Sequence, residues 1–298
     1  MEKTKMAVVN TNISASLSQA ALAKNDRALS KAMEQLSTGK KINSAADDAA
    51  GLAISTRMTS QIIGLEQSIQ NANDAISMVN TAEGALDEVT NLLQRMRELA
   101  LQAANGTTDT ADRSYLNKEY QNLYAEIDRI ADNTEWNGRN ILNNQANGNG
   151  SSLVEFQVGM NAGQTISVDF GNFTNVSGSG TFADFVSAGA TAGTISANST
   201  TVAQTNASAA LSSIDTALTA ISNQRATFGA VSNQLIHAVD NLTNVVTNSE
   251  ASRSRMMDTD YAASTSELAR TQIIQQASTA MLAQANQLPQ SVLQLLQN

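Results

Sequence analysis

The chain has 298 residues with 4% aromatics, one Pro, one Trp, no Cys and a net charge of −9. So few bulky side chains suit long helices that approach closely along narrow seams rather than a ball-shaped core. The missing Cys excludes a disulfide framework and a thiolate site; the negative balance without a Lys/Arg run excludes the electrostatic footprint of a nucleic-acid or anionic-membrane binder. No apolar stretch reaches the ~18–20 residues that span a bilayer, and the start "MEKTKMAVVNTNIS" lacks the apolar core of a cleavable signal.

Near the N-terminus, Leu22, Leu29 and Leu36 recur at sevens, which predicts a helix with one apolar stripe. Next comes "LSTGKKINSAADDAAGLAIS", residues 36 to 55. Its paired aspartates, Asp47 and Asp48, are the nearest approach to a carboxylate site, yet consecutive helical residues point ~100° apart and do not converge. Capping explains the run better. Gly39 suits the left-handed residue that ends a helix, "KKIN" connects, and Ser44 with Asp47 three residues on forms a capping-box-like start. Both aspartates are then expected in the first turn, where the helix dipole favours them.

Leu65, Ala72, Val79, Leu86, Leu93 and Ala100 repeat at sevens, flanked by Ile62, Ile69 and Ile76 and then Ala82, Val89 and Met96. That spacing predicts a long helix with a coiled-coil-like seam. Its charged stretch "LLQRMRELALQAAN", with Arg95, Arg97 and Glu98, reads as a solvated face. A shorter helix over 110–133 carries Leu116, Tyr120, Leu123, Ile127 and Ile130, and Trp136 precedes an Asn-Gly turn signal.

Between Asn137 and Ala210 the only charged residues are Arg139, Glu155, Asp169 and Asp184, while ten of the sixteen glycines fall there. Within this zone "VEFQV" and "TISVDF" alternate apolar residues on either side of "GMNAGQ", which predicts a β-hairpin with one buried face. Residues 171 to 201, rich in Gly, Ser, Thr and Ala, read as a surface loop or weak β excursion.

A second long helix, about 208 to 248, follows from Ile214, Ile221, Phe228, Leu235 and Leu242 at sevens. The lone histidine, His237, falls on its outward face, and one His excludes a histidine-based zinc cluster or a Cys/His nucleophile. The last segment places Ile274, Ala277, Met281, Ala285, Leu288, Val292 and Leu295 on a three/four stripe, with Pro289 expected to kink or interrupt it. Neither terminal helix can bury its stripe alone, so the two are expected to pair with each other and then with neighbouring molecules.

The expectation is therefore a mainly α fold, an elongated helical hairpin and coiled-coil bundle with a small β-hairpin region in the middle of the chain. No catalytic, cofactor-binding or metal constellation is present in the sequence: GxSxG, GxxxxGK and a strand-to-helix GxGxxG are all absent.

The ordered motifs "MAVVNTNISA", "LSTGKKINSAADDAAGLAIS", "EIDRIADNTEWNGRNIL" and "LARTQIIQQASTAMLAQANQLPQSVLQLLQN" resemble those of bacterial flagellins, over roughly residues 6–170 and 205–298. "MEKTK" precedes the family's usual Met-Ala start. The resemblance implies an inner coiled-coil domain from residues 1–43 and 255–298, a rod-like middle domain from 44–170 and 202–254, and a short variable tip at 171–201. Gly39, Ser44, Asp47 and Asp48 would mark the junction between inner and middle domains, with Leu22, Leu29, Leu36, Ile274, Met281, Leu288, Leu293, Leu295 and Leu296 as assembly contacts.

It further implies a filament subunit for motility, exported through the flagellar type III route, with no cofactor, enzyme activity, nucleic-acid binding or membrane insertion. Implied partners are further copies of itself, an export chaperone, the filament cap and hook-junction proteins. Gln94, Arg95, Arg97, Leu99 and Glu119 match the patch seen by the flagellin-sensing Toll-like receptor, the 36–55 stretch resembles the peptide read by the plant receptor, and the C-terminal leucines match the part read by inflammasome sensors. Two other readings stand beside it, a hook-filament junction protein and a surface module that binds polysaccharide.

Overall fold

The computed structural model describes residues 12–174, 194–195 and 200–296, without the side chains of 200 and 288–296. Among them are five long helices, α1 (Ile13–Thr38), α2 (Ala49–Ala104), α3 (Thr110–Asn133), α4 (Thr200–Met257) and α5 (Tyr261–Leu296). Four short strands lie between α3 and α4: β1 (Glu135–Trp136), β2 (Arg139–Asn140), β3 (Leu153–Gln157) and β4 (Thr165–Asp169). The chain divides into two compact units, Met1–Ser60 with Thr247–Asn298, and Gln61–Val246. Those divisions fall inside α2 and α4 rather than in the loops, because both long helices run on uninterrupted past the places where the sequence changes character.

In the unit of residues 61–246, the seven-residue stripe of α2 is the core. Leu65, Ala72, Val79, Leu86, Leu93 and Ala100 are all at most 5% exposed, as are Ile62, Ala82, Val89 and Met96. Against them pack Ile214, Ile221, Phe228 and Leu235 of α4 and Tyr120 and Ile127 of α3. The pairing of α2 with α4 is antiparallel: Arg97 binds Asp215 at 2.8 Å, and Arg225 reaches back to Asp87 at 3.1 Å. Small residues at Ala72, Ala75 and Ala217 let the backbones approach, as the composition implies.

The turn from α2 to α3 is held by Arg113. This guanidinium is fully buried and donates from Nε to the Ala103 carbonyl and from Nη2 to that of Asn105, both at 2.9 Å. Carbonyls at a helix C-terminus lack intrahelical donors and carry partial negative charge, so a cation there stands in for the missing turn.

β3 and β4 form the expected hairpin, with Val154 opposite Val168 and Phe156 opposite Ile166. Alternate residues face the helices, and Val168 and Phe170 are buried there, Phe170 with its ring 5.5 Å from that of Phe228. β1 and β2 form a second, two-residue hairpin whose turn residues Asn137 and Gly138 have φ of 50° and 74°, the backbone an Asn-Gly turn supplies. Most of the segment read as a loose tip lies outside the described residues. Its anchors do not: Phe173 and Ile195 are core residues, and the Ile195 N–H donates to Asn117 Oδ1 at 2.9 Å. Apolar singles in a polar run carry no periodicity, so their burial was not visible in the sequence.

The other unit contains α1 and α5 side by side. Gly39 ends α1 in the left-handed conformation at φ 68°, its N–H bonded to the Gln35 carbonyl, as expected of a C-terminal glycine. Two expectations change here. α2 begins at Ala49, later than Ser44, and α5 passes through Pro289 without interruption.

Removing core volume from the larger unit should be costly. Leu93→Ala, at a site with no exposure, is expected to lose roughly 2–5 kcal/mol in denaturant unfolding. Leu101→Ala, 59% exposed on the same helix, should stay within about 0.5 kcal/mol.

Candidate functional site

Two places in the structure carry the residues singled out from the sequence, one in each unit. The first is the root of α1 and α5. Here the linkers after α1 and before α5 run antiparallel: Lys41 N–H donates to the Met257 carbonyl at 2.6 Å and Thr259 N–H to the Gly39 carbonyl at 3.0 Å. Gly39 is required by its positive φ; a Cβ there would also sit 2.8 Å from the hydroxyl of the exposed Tyr261, which can swing aside.

The aspartates divide the remaining work. Asp48 caps α2, its Oδ1 accepting from Gly51 N–H at 2.9 Å and its backbone carbonyl accepting from Leu52 N–H. Asp47 lies one residue before the cap. Its Oδ2 accepts from the N–H groups of Asn43 and Ser44, and its Oδ1 meets Lys31 Nζ at 2.8 Å. The Ser44–Asp47 pairing therefore closes one isolated turn instead of starting the helix, and the expectation of both aspartates in the first helical turn is corrected. Ile42, 5% exposed, explains the delay: its side chain must be buried against the start of α2 before the helix can begin. Gly51 makes room, since a Cβ there would lie 2.7 Å from Ile42 Cδ1 and 2.6 Å from Asp48 Oδ2. Sequence reading missed Gly51; a glycine three residues after an aspartate in the first turn was the available signal.

The pairing of α1 with α5 also departs from expectation. α1 turns Leu22, Leu29 and Leu36 inward, half-buried beside the buried Ala15, Asn25 and Ala32. α5 answers with Ser264, Thr271 and Ala285, buried, and Leu268, Gln275 and Leu282, half-buried. Of the stripe expected to pack there, Ala285 is buried in the seam, Ile274 lies at its margin with 37% exposure and Met281 is 64% exposed. Ile13 and Leu17 on α1, at 68% and 72%, are exposed as well. The side chains of Leu288, Leu293, Leu295 and Leu296 lie outside the described residues.

The second place is the charged edge of α2 in the larger unit. Arg95 pairs with Glu119 of α3 at 2.8 Å and with Glu98 at 2.9 Å, and these carboxylates raise its pKa, Glu119 most. Arg97 turns the other way to Asp215 of α4, which raises its pKa in turn. Gln94 is exposed between them. Leu99 does not join this surface. At 1% exposure it lies in the core behind it, because a helix packed by α3 on one side and α4 on the other buries a stripe wider than two heptad positions.

Among the described residues no group of three or more His, Cys, Asp or Glu could hold a metal ion, and no helix is long and apolar enough to cross a membrane. His237 is exposed on α4. What these residues form is surfaces, caps and ion pairs.

Asp47 gives this geometry a pH signature. The Lys31 ammonium, followed by the Ser44 and Asn43 N–H groups, holds its carboxyl at about 2, below its ordinary 3.8. A lowered folded value means that its stabilising charge is fully present above 3.8 and is lost as pH falls from there through about 2. Carboxyl carbon NMR should find Asp47 titrating near 2, and Lys31→Ala should move the midpoint up towards 3.8.

Comparison with known proteins finds the model of the bacterial flagellin N-terminal helical region over residues 9–147 and that of the C-terminal helical region over 211–296. A flagellin of Halalkalibacterium halodurans is 45% identical over 289 residues, covering 97% of this chain and 99% of that one. A flagellin of Bacillus subtilis is 43% identical over 310 residues, with the same two coverages. The crystal structure of Bacillus cereus flagellin aligns with a TM-score of 0.46 and 32% identity, over 58% of this chain and 88% of that one.

Proposed function

The chain belongs to the bacterial flagellin family, and from that premise we propose how its two units divide the work of a filament subunit. Flagellins polymerise into the extracellular flagellar filament that drives motility, and this chain is such a structural subunit; the relatives do not favour the junction-protein or polysaccharide-binding readings. We assign residues 1–43 and 255–298 to the inner coiled-coil layer, 44–170 and 202–254 to the middle domain and 171–201 to the tip.

One observation carries this assignment. α1 and α5 leave Ile13, Leu17, Ile273 and Met281 largely exposed after pairing with each other. A second copy of the chain supplies the missing cover, so ordering of the terminal helices is coupled to assembly. Gly39, Ser44, Asp47 and Asp48 then form the junction between the layers. The exported chain passes through the flagellar type III apparatus, meets an export chaperone, and adds beneath the filament cap beyond the hook-junction proteins. The absence of Cys suits a chain that crosses compartments unfolded.

Removal of 1–43 or of 255–298 should abolish filament growth from seeds while the larger unit keeps its helical circular dichroism. Growth of either truncated chain, seen by electron microscopy, would sink the assignment.

The exposed edge formed by Gln94, Arg95, Arg97 and Glu119 supports recognition by a host flagellin receptor. Leu99 contributes by holding that edge from behind. In a receptor reporter assay with purified monomer, Arg95→Ala should lower the signal without changing the unfolding midpoint, whereas Leu99→Ala should lower both; an unchanged signal for Arg95→Ala removes this reading.

A further inference from the structure

The sequence contains four Asn-Gly pairs, Asn105–Gly106, Asn137–Gly138, Asn147–Gly148 and Asn149–Gly150. Such a pair is chemically labile, because glycine has no Cβ to keep its backbone nitrogen away from the side-chain amide carbon of the preceding Asn. Reaction needs that nitrogen free of hydrogen bonds and the Asn side chain free to swing onto it. The structure meets these conditions unequally at the four places.

Asn147 is held on both counts. The Gly148 N–H donates to the Gln145 carbonyl at 2.8 Å, and Asn147 Oδ1 accepts from the Asn149 N–H at 2.8 Å. Asn105 is pinned through its Oδ1, which accepts from the Thr107 N–H, and through its carbonyl, which accepts from the Thr108 N–H and from Arg113 Nη2. Asn137 lies in the two-residue turn of the β1–β2 hairpin, braced by the Trp136–Arg139 pair and by the bond from the Ile141 N–H to the Thr134 carbonyl.

Asn149 has none of these restraints. It is exposed, and among the described residues neither its side chain nor the Gly150 N–H makes a hydrogen bond. Gly148 and Gly150 on either side of it have φ of 79° and 75°, and a Cβ on either would meet nothing within 4 Å. The pair can therefore turn without displacing a neighbour. The frame below it is closed by the Asn147 N–H to the Ser151 carbonyl and by Asn144 Nδ2 to the Gly150 carbonyl, both at 3.2 Å.

We propose that Asn149 is a self-modifying site, converted to aspartate and isoaspartate by its own chain and water. Solvent hydroxide removes the Gly150 N–H proton, and the nitrogen attacks Asn149 Cγ. The new N–Cγ bond closes a succinimide ring as the Cγ–Nδ2 bond breaks, and the amide nitrogen takes protons from water and leaves as ammonia. Water then opens the ring. Cleavage of N–Cγ leaves aspartate at 149; cleavage between the same nitrogen and the backbone carbonyl carbon leaves isoaspartate, with the chain rerouted through Cβ. In sum one water is consumed and one ammonia released, and nothing is oxidised or reduced. Each event places a negative charge in the stretch between Arg139 and Glu155, which otherwise has none, and the isoaspartate form lengthens the backbone inside the loop that leads into β3. Because the reaction needs only water and time, it marks the age of the folded chain.

The full-length chain is incubated in heavy-oxygen water at mildly alkaline pH, with helix content followed by circular dichroism, and then cleaved after Glu. A single peptide, residues 136–155, carries Asn137, Asn147 and Asn149. Fragmentation by mass spectrometry should find heavy oxygen entering at 149 ahead of 137, 147 and 105. Asn147 must first give up two hydrogen bonds, so it should lag Asn149 by roughly ten- to a hundredfold. In guanidinium chloride those restraints are gone and the four pairs should react at similar rates. Asn149→Gln, whose longer side chain closes the ring poorly, should abolish uptake at 149 with helix content unchanged. Uptake at Asn147 as fast as at Asn149, a lead of Asn149 that persists undiminished in the unfolded chain, or a folded chain unlabelled at 149 when the unfolded one has reacted would each overturn the proposal.

Discussion

Two helices lying side by side can bury one stripe each, and every other feature of the smaller unit follows from which stripe they choose. α1 and α5 mix the half-buried Leu22, Leu29, Leu36, Leu268 and Leu282 with small and polar residues at Ala15, Asn25, Ala32, Ser264, Thr271 and Ala285. The apolar surplus is left on the outside, so the pair gains little from its own contact and much from a neighbour's. In the larger unit a third helix removes the choice. With α3 and α4 on either side, α2 buries its seven-residue stripe and most of the companion positions in one wide core.

The contrast separates stability from function along the sequence. Residues 61–246 hold the wide core, the two hairpins and the buried Arg113. The terminal segments hold the exposed large apolar residues of α1 and α5. Within the terminal unit stands a root made from backbone bonds, a left-handed glycine and two aspartates with separate tasks. Asp48 starts a helix, Asp47 ties the preceding turn to α1 through Lys31, and neither leaves its carboxylate poised for chemistry.

How far the sequence could be read depended on what held each element. α2, α3, α4 and the β3–β4 hairpin are driven by apolar burial, and burial leaves a period in the sequence. Gly39 was legible because its left-handed conformation has a residue preference. The face of α5 was only partly legible, because its seam mixes Leu268 and Leu282 with Ser264 and Thr271, and polar residues such as Thr271, whose carbonyl accepts from Asn25, leave no apolar period. The late start of α2 depended on the space that Gly51 leaves for Ile42, a three-dimensional fact. Leu99 was grouped with the charged edge by resemblance alone, and its burial comes from packing against helices distant in sequence.

Arg95 and Arg97, two residues apart on α2, reach to opposite neighbours, Glu119 on α3 and Asp215 on α4. Both pairs are solvent-exposed, and salt screens such charges over a Debye length of ~8 Å at 0.15 M ionic strength while leaving buried contacts nearly untouched. The axis of α2 is therefore fixed by apolar packing under all conditions, and its charged edge is tunable. In fresh water the two arginines are drawn to the flanking helices and the edge is rigid. In brine both pairs weaken together, and the same helix presents a looser charged edge on an unchanged backbone.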